Sequence, residues 1–386
     1  MTAIHLKADW LTDPGTQAIW HMLQKGGYQA FFVGGCVRNS LLGAPVDDID
    51  ITTDAPPEKV MALCETAGLR AIPTGIDHGT VTVIAQGKPH QITTLRRDIT
   101  TDGRHATVAF THRIEDDAAR RDFTMNALYA RDDGTVLDPT GDGIEDLNAR
   151  RIRFIGTPEH RIREDHLRIL RFFRFYAWYG DPSGGMDAEG LAACAAHAAR
   201  IAHLSKERIG AEIKKLLSAP EPAPAMAAME HAGILAHVLP GATAHLLPIL
   251  TNQEALHTPN PMRRLASLGG ENADQALRLS RAEAKELTIL REHMGSTMSA
   301  GALGYRFGAA QAHDILLLRA AVTGTCVSVA DVRAVMHGAH AVFPITAHDL
   351  MPTFTHADLG ARLRMLEEAW VASEFTLDRV ALLTLS

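Results

Sequence analysis

Gly34, Gly35, Arg38, Asp48 and Asp50 fall in one short stretch, VGGCVRNSLLGAPVDDIDI, and their types and spacing suit phosphate chemistry. Paired glycines after an apolar run let a phosphate reach backbone N–H groups and the positive end of a following helix. Aspartates two apart on a strand project from the same face, and at about 3.3 Å rise per residue their backbone positions lie about 7 Å apart. Carboxylates converging from that separation can hold two Mg²⁺ ions roughly 4 Å apart, one activating an attacking hydroxyl and one neutralising a leaving pyrophosphate. That is the chemistry of nucleotidyl transfer. A D-x-D pair by itself also fits a solvated acidic strand end; the Gly-Gly turn and Arg38 in front of it favour the metal site.

These residues need elements to hold them. Residues 28–33 form an apolar, aromatic-rich run that reads as a buried strand, and 36–42 has the spacing of a short helix. Residues 46–52 alternate with period two, so Ile49 and Ile51 are expected to enter the core while Asp48 and Asp50 face out. Further strand-like runs at 80–85, 91–95, 107–110 and 151–155 alternate with helical segments and glycine turns, which predicts an α/β head with a mixed sheet. After Pro158 the pattern is helical almost throughout, broken at 180–185, 220–224, 240–241 and 259–261. One helix is expected from Pro158 to Trp178, with Arg161, Glu164, Asp165, Arg168 and Arg171 in one arc and Ile169, Leu170, Phe173 and Ala177 mainly opposite. That polar arc fits either a solvated face with pairs such as Glu164 to Arg168 or a surface that reads a base.

The stretch GGCVRNSLLGAPVDDIDI resembles motif A of the class II tRNA nucleotidyltransferase and bacterial poly(A) polymerase family. Four more blocks are similar to the family's motifs in order: RRDFTMNA (120–127), DPTGDG through Asp146-Leu147 (138–147), REDHLR (163–168) and SKERI through Glu212 (205–212). The resemblance covers roughly residues 28–217. It implies metal ligation and catalysis by Asp48 and Asp50, and phosphate or ribose binding by Gly34, Gly35, Arg38, Arg120, Arg121, Asp122 and Asn126. It further implies that Asp165 and Arg168 form a protein template for the incoming base, supported by Glu164 and Arg171. The template is chemically sensible, because a carboxylate accepts from the exocyclic amine of cytosine or adenine while guanidinium donates to the adjacent ring nitrogen. Uracil and guanine present the wrong pattern there, a mismatch that can discriminate by roughly 10⁴-fold. The organisation expected is a catalytic head over 1–155, a helical neck with the base-reading motif over 156–217, and a helical body and tail over 218–386 that binds tRNA. Lys206, Glu207 and Arg208 are expected to stabilise the neck.

Composition fits this reading. At 386 residues more than one domain is expected. The first residues, MTAIHLKADWLTDP, lack an apolar signal segment and no run is long enough to span a bilayer, so a soluble, cytoplasmic protein is expected. Cys36, Cys64, Cys194 and Cys326 are far apart with no C-x-x-C spacing, which indicates neither a disulfide framework nor a zinc ribbon and predicts small buried thiols. A net charge of −7 argues against RNA binding by bulk electrostatics and leaves a local basic track as the route.

Three departures from the family pattern stand out. Asn39 replaces the usual aspartate after the motif A arginine, and Gln91 stands where a third, supporting carboxylate is usual. Residues 97–110, with Asp102-Gly103, read as a mobile loop in the region the family uses to change from C to A addition. His78, His90, His105, His160 and His166 lack ligand spacing and are expected to be surface or packing residues, and the His313-Asp314 and His348-Asp349 dipeptides resemble the HD pair of phosphohydrolases without its surrounding set. The reaction expected is addition of CCA to the tRNA 3′ end from CTP and ATP with two Mg²⁺ ions. The alternatives are a poly(A) polymerase or a partial CC- or A-adding enzyme, a catalytically silent RNA-binding protein, and a metal-dependent phosphohydrolase.

Overall fold

The computed structural model describes residues 4–102, 105–351, 353–354 and 356–385, which form two compact units. The first unit runs up to Glu212 and includes His231–His237; the second comprises Ile213–Glu230 and the chain from Val238 onward.

The first unit begins with α1 (Pro14–Lys25), whose start is fixed by Pro14 in the first turn and by Asp13, which accepts from the N–H groups of Gly15 and Thr16. There follow β1 (Ala30–Val33), α2 (Gly35–Leu41), β2 (Asp50–Thr53), α3 (Pro57–Thr66), β3 (Arg70–Gly75), β4 (Thr80–Ala85) and β5 (Lys88–Thr94). After these come β6 (Arg96–Asp102), β7 (His105–Phe110), α4 (Ile114–Ala119), β8 (Tyr129–Ala130), β9 (Val136–Leu137) and α5 (Gly143–Asn148). The seven-stranded sheet has the order β3-β4-β5-β2-β1-β8-β9 and is mixed, because β2 and β5 pair in parallel whereas the other neighbours are antiparallel. Phe32, Ile51, Val81, Val83 and Ile92 are buried in it, and Trp20 of α1 stacks on Phe32 with ring centroids 5.0 Å apart.

Three local expectations are corrected. The strand predicted over 46–52 starts only at Asp50, because Phe32 pairs with Ile51 and β1 then turns into α2 at Gly34, leaving residues 46–49 no partner on the β1 side. Residues 151–155 are not a strand; Phe154 makes one bridge to Phe123 and is fixed by ring packing against Phe123 and Phe172. The stretch expected to be a loop over 97–110 is the hairpin β6–β7, paired from Arg96↔Phe110 to Asp102↔His105, while Gly103 at its tip lies outside the described residues, as does the side chain of His105.

The helices that complete this unit are α6 (Pro158–Glu164), α7 (Leu167–Tyr179), α8 (Ala188–Ala196) and the first part of α9 (Lys206–Leu217). The single helix expected from Pro158 to Trp178 is therefore two. Asp165 takes an extended conformation (φ −149°, ψ 109°), and its side chain accepts from the backbone N–H of Leu167 at 3.0 Å. A short acidic side chain that captures a nearby N–H competes with the helix for it, and here it restarts the helix one step later.

Beyond α10 (Ala223–His231) and α11 (Ile234–Val238), the second unit contains α12 (Leu247–Gln253), α13 (Pro261–Leu268), α14 (Ala273–Ala276), α15 (Arg281–Met294), α16 (Ala300–Thr323), α17 (Val329–His340), α18 (Ala347–Leu350), α19 (His356–Ala372) and α20 (Arg379–Thr384). Gly304 of α16 and Gly338 of α17 let the two backbones approach so closely that neither position has room for a Cβ. The HD-like dipeptides are structural: Asp314 accepts from Asn260 and pairs with Arg263, and Asp349 closes the capping box of α18 and pairs with Arg379. Cys36, Cys64 and Cys194 are buried as expected, but Cys326 is exposed. No helix among the described residues is long and apolar enough to cross a membrane.

Candidate active site at the head

The strand-to-helix turn places Gly34 at φ 73°, with its N–H donating to the Leu128 carbonyl (3.1 Å) and its carbonyl accepting from the Arg38 N–H (2.9 Å). A side chain at position 34 would be strained by this backbone and would come within 3.4 Å of Arg121 Nη1. Bare backbone thus faces a guanidinium, while the Gly34 N–H itself is engaged with Leu128.

Asp50 is half-buried at the start of β2 and Asp48 is exposed just before it, and neither carboxylate makes a hydrogen bond or ion pair among the described residues. Burial pushes the Asp50 carboxyl above its ordinary range, Arg121 opposes that shift, and the charge of Asp48 adds to it. Two carboxylates that repel one another and lack a protein partner fit a divalent cation. The carboxylate donors are oxygen, and Gln91 is the residue in backbone register with Asp50 across the parallel β2–β5 pair. Among the described residues no group of three His, Cys, Asp or Glu gathers into a closed metal cage. That set suits Mg²⁺, which typically takes one or two carboxylates and completes its shell with substrate phosphates and water.

Arg120 and Arg121 are clamped by Asp117, a fully buried residue of α4 that sequence reasoning missed. Asp117 accepts from Arg120 (2.7 and 2.9 Å), from Arg121 (3.0 and 3.2 Å) and from the Tyr129 hydroxyl (2.7 Å). Burial works to raise its pKa, but the two guanidinium groups and Tyr129 outweigh it and hold the carboxyl at about 2. The available signal was the spacing of Asp117 three and four residues before the arginines; Tyr129 enters only through the sheet.

Asp122 and Asn126 come together, though not on the helical face expected for them. Phe123 is extended and residues Thr124–Asn126 form one 3-10 turn, which brings Asn126 Nδ2 to 2.9 Å from Asp122 Oδ1. The other Asp122 oxygen pairs with Arg171 of α7, and Arg38 Nη1 donates to Asn126 Oδ1. Asp122 is buried, which acts to raise its pKa; Arg171 and Asn126 hold it at about 2. With both oxygens engaged, Asp122 supports its neighbours more than it presents a free acceptor. The Arg38 Nε and Nη2 groups donate to Asn39 Oδ1 at 3.1 and 2.7 Å, so the asparagine takes over part of the place of the usual aspartate without its charge.

The expected base readers flank the break between α6 and α7. Asp165 Oδ2 accepts from Arg208 (2.7 Å), which therefore touches the candidate template as well as bracing the neck. Arg168 donates to Glu164, to the Arg161 carbonyl (3.0 Å) and to the Arg120 carbonyl (2.9 Å), and Glu164 also pairs with Arg161 at 2.6 Å. The Arg168–Arg120 contact ties this motif directly to the arginine pair.

Comparison with known proteins agrees with the geometry. Residues 30–153 match the family described as the poly A polymerase head domain, and residues 186–246 match the probable RNA and SrmB-binding site of polymerase A. The chain is 38% identical over 267 residues to the mitochondrial CCA tRNA nucleotidyltransferase 1 of Mus musculus, covering 66% of this chain and 59% of the relative. It is 40% identical over 225 residues to the CCA-adding enzyme of Geobacillus stearothermophilus, covering 58% of this chain and 54% of the relative. The chain thus spans between half and two thirds of the length of these curated relatives. Among solved structures, the Bacillus stearothermophilus CCA-adding enzyme in complex with CTP superimposes with a TM-score of 0.76 at 29% identity, over 94% of each chain. The Thermotoga maritima CCA-adding enzyme complexed with tRNA shares the fold, with a TM-score of 0.70 at 16% identity. Residues 30–153 thus carry the poly A polymerase head domain, and the chain as a whole is similar to the class II tRNA nucleotidyltransferases.

Proposed function

We propose that this protein adds CCA to the 3′ end of tRNA from CTP and ATP, without a nucleic-acid template. The observation that carries the reading is the unpaired Asp48–Asp50 couple beside the Gly34 cradle, with Arg121 between them electrostatically. Asp48 and Asp50 would hold Mg²⁺, which supplies activation of the tRNA hydroxyl and neutralisation of pyrophosphate when bound. Gly34, Gly35 and Arg121 receive the triphosphate, and Arg120 is braced with Arg121 by Asp117. Asp122, Asn126 and Arg38 fix the ribose side of the pocket. Asp165, which pairs with Arg208, and Arg168, which pairs with Glu164, read the base, with Arg171 supporting through Asp122. In functional terms the chain divides into the head (1–155), the base-reading neck (156–217) and a body and tail (218–386) that hold tRNA. We place the reaction in the cytoplasm, noting that the mouse relative is named mitochondrial.

Release of pyrophosphate tests the reaction class. With CTP, Mg²⁺ and tRNA lacking its CCA end, the protein should release one pyrophosphate per nucleotide incorporated and almost none without tRNA. Release of inorganic phosphate independent of RNA would instead identify a phosphohydrolase, and no turnover with any nucleotide would leave a silent RNA-binding protein.

A further inference from the structure

Arg38 is 6% exposed, yet among the described residues no carboxylate pairs with it directly. A buried guanidinium is costly unless its donors are satisfied and its charge is met. Three neutral groups take that role here: Asn39, Asn126 and the hydroxyl of Tyr179, which accepts from Arg38 Nη2 at 2.9 Å. The guanidinium also lies 4.1 Å from the centroid of the Tyr179 ring and 5.2 Å from that of Phe175. Burial works to lower the Arg38 pKa, and Tyr179 and Asp122 counter it.

Tyr179 therefore meets Arg38 both with its ring and with its oxygen. It is the last residue of α7, four after Phe175, and the two rings lie 5.6 Å apart. Phe175 itself stands among guanidinium groups, with those of Arg171 and Arg174 at 5.3 and 4.5 Å. Arg171 and Arg174 have carboxylate partners, Asp122 and Glu212, whereas Arg38 has none. A hydrogen-bonded chain consequently runs Tyr179–Arg38–Asn126–Asp122–Arg171, leaving α7 at one end and returning to it at the other. It crosses α2 and the 3-10 turn that carries Asn126.

We infer that Tyr179 is a positioning residue for nucleotide binding: it fixes Arg38, and through Arg38 sets the orientation of Asn126 and Asp122, so that the base-reading helix and the ribose and phosphate pocket are held in one geometry. The inference rests on the nucleotidyltransferase reading, since it assigns Asn126 and Arg38 to the nucleotide pocket. An amide can satisfy either donor or acceptor neighbours depending on its flip, and Asn126 is held with its oxygen to Arg38 and its nitrogen to Asp122. Losing the Arg38 anchor removes the restraint on that flip.

The test is equilibrium binding of CTP and ATP, which does not depend on turnover, in the full chain carrying Tyr179→Phe, Tyr179→Leu, Asn126→Ala and the Tyr179→Phe/Asn126→Ala pair. Tyr179→Phe keeps the ring and deletes one acceptor of a charged donor, so CTP and ATP should both bind about tenfold more weakly, and Tyr179→Leu more weakly again. KM for both nucleotides should rise in parallel while KM for tRNA stays within about twofold. In the Asn126→Ala background, Tyr179→Phe should have a smaller effect than in the wild-type chain, because Arg38 no longer has the amide that it orients; a merely structural role would give additive losses. Unchanged CTP and ATP affinity in Tyr179→Leu, or full additivity with Asn126→Ala, would overturn the inference. Normal CTP binding by the wild-type chain with no transfer to tRNA would instead strike at the proposed function and leave the positioning role standing.

Discussion

The head and the second unit each gather arginines around carboxylates, and the two gatherings differ in what is left over. In the second unit Glu254 accepts from both Arg263 and Arg264, Arg263 also pairs with Asp314, and Arg264 donates to the carbonyls of Leu217 and Ala219 at 2.6 and 2.5 Å. The side chains of Glu254, Arg263 and Arg264 are no more than 3% exposed, so the network is closed to any ligand. In the head, Asp117 closes on Arg120 and Arg121 in the same manner, but Arg121 still points Nη1 at the glycine turn, and Asp48 and Asp50 stay unpaired. Identical residue types thus form a closed network in one place and an open one in the other, and the distinguishing feature is incomplete pairing.

The comparison breaks most sharply at Asp50. Asp50→Asn should lower nucleotide transfer by more than about 10³-fold in single-turnover assays, since the proposed Mg²⁺ site would lose a ligand. Its pKa is raised in the folded state, so the ionised carboxylate opposes folding increasingly as pH rises through that value. The variant should therefore melt at the same temperature or higher at neutral pH. Turnover near the wild-type level would remove Asp50 from the metal site.

The closed network should respond in the opposite way. Arg263→Ala leaves Glu254 and Asp314 short of a buried partner and should cost about 3–5 kcal/mol in urea denaturation, with CTP affinity of the folded protein unchanged. A stable variant would mean that the second network is no more structural than the first.

Asp117 sharpens the comparison because it is the closed part of the open site. Its folded pKa, about 2, is depressed below the unfolded value, so its contribution is present above about pH 4 and is lost as pH falls through about 2. Asp117→Asn should be less stable than wild type by roughly 2 kcal/mol at neutral pH, with the two stability curves converging near pH 2. Parallel curves across that window would show that the charge of Asp117 does not carry its effect.

The smallest effect is expected at Gln91, beside Asp50 in the sheet. Gln91→Glu should lower the Mg²⁺ concentration for half-maximal activity by about threefold, as an added carboxylate strengthens a hard-cation site. An unmoved titration would place Gln91 outside the ligand set.

Much of this was legible in the chain because it is local. The Gly34 turn follows from paired glycines after an apolar run, and the Glu164–Arg168 pair from its spacing of four residues. What escaped depends on partners distant in sequence. Strand β2 is shorter than its alternation because β1 ends at Val33, and Tyr129 reaches Asp117 only once β8 is paired to β1. The break at Asp165 carries no glycine or proline to announce it; a side-chain acceptor for the Leu167 N–H and the pairing with Arg208 produce it. Tyr179 had no place in the sequence reading, since nothing in α7 signals the buried cation that it meets.

Where synthesis stops separates CCA addition from polyadenylation, and sequencing RNA 3′ ends after incubation with the protein, Mg²⁺ and each nucleotide reads it. One pair of base-reading side chains cannot count, so the account requires that a held acceptor stem limit the space in which the end can grow. A tRNA ending at its discriminator base should gain C, C and A and then stop, ATP alone should add little, and an unstructured RNA should be a poor primer. Long A tails on unstructured RNA with ATP as the sole nucleotide would contradict the account, as would arrest after two Cs or a requirement for a tRNA already ending in CC.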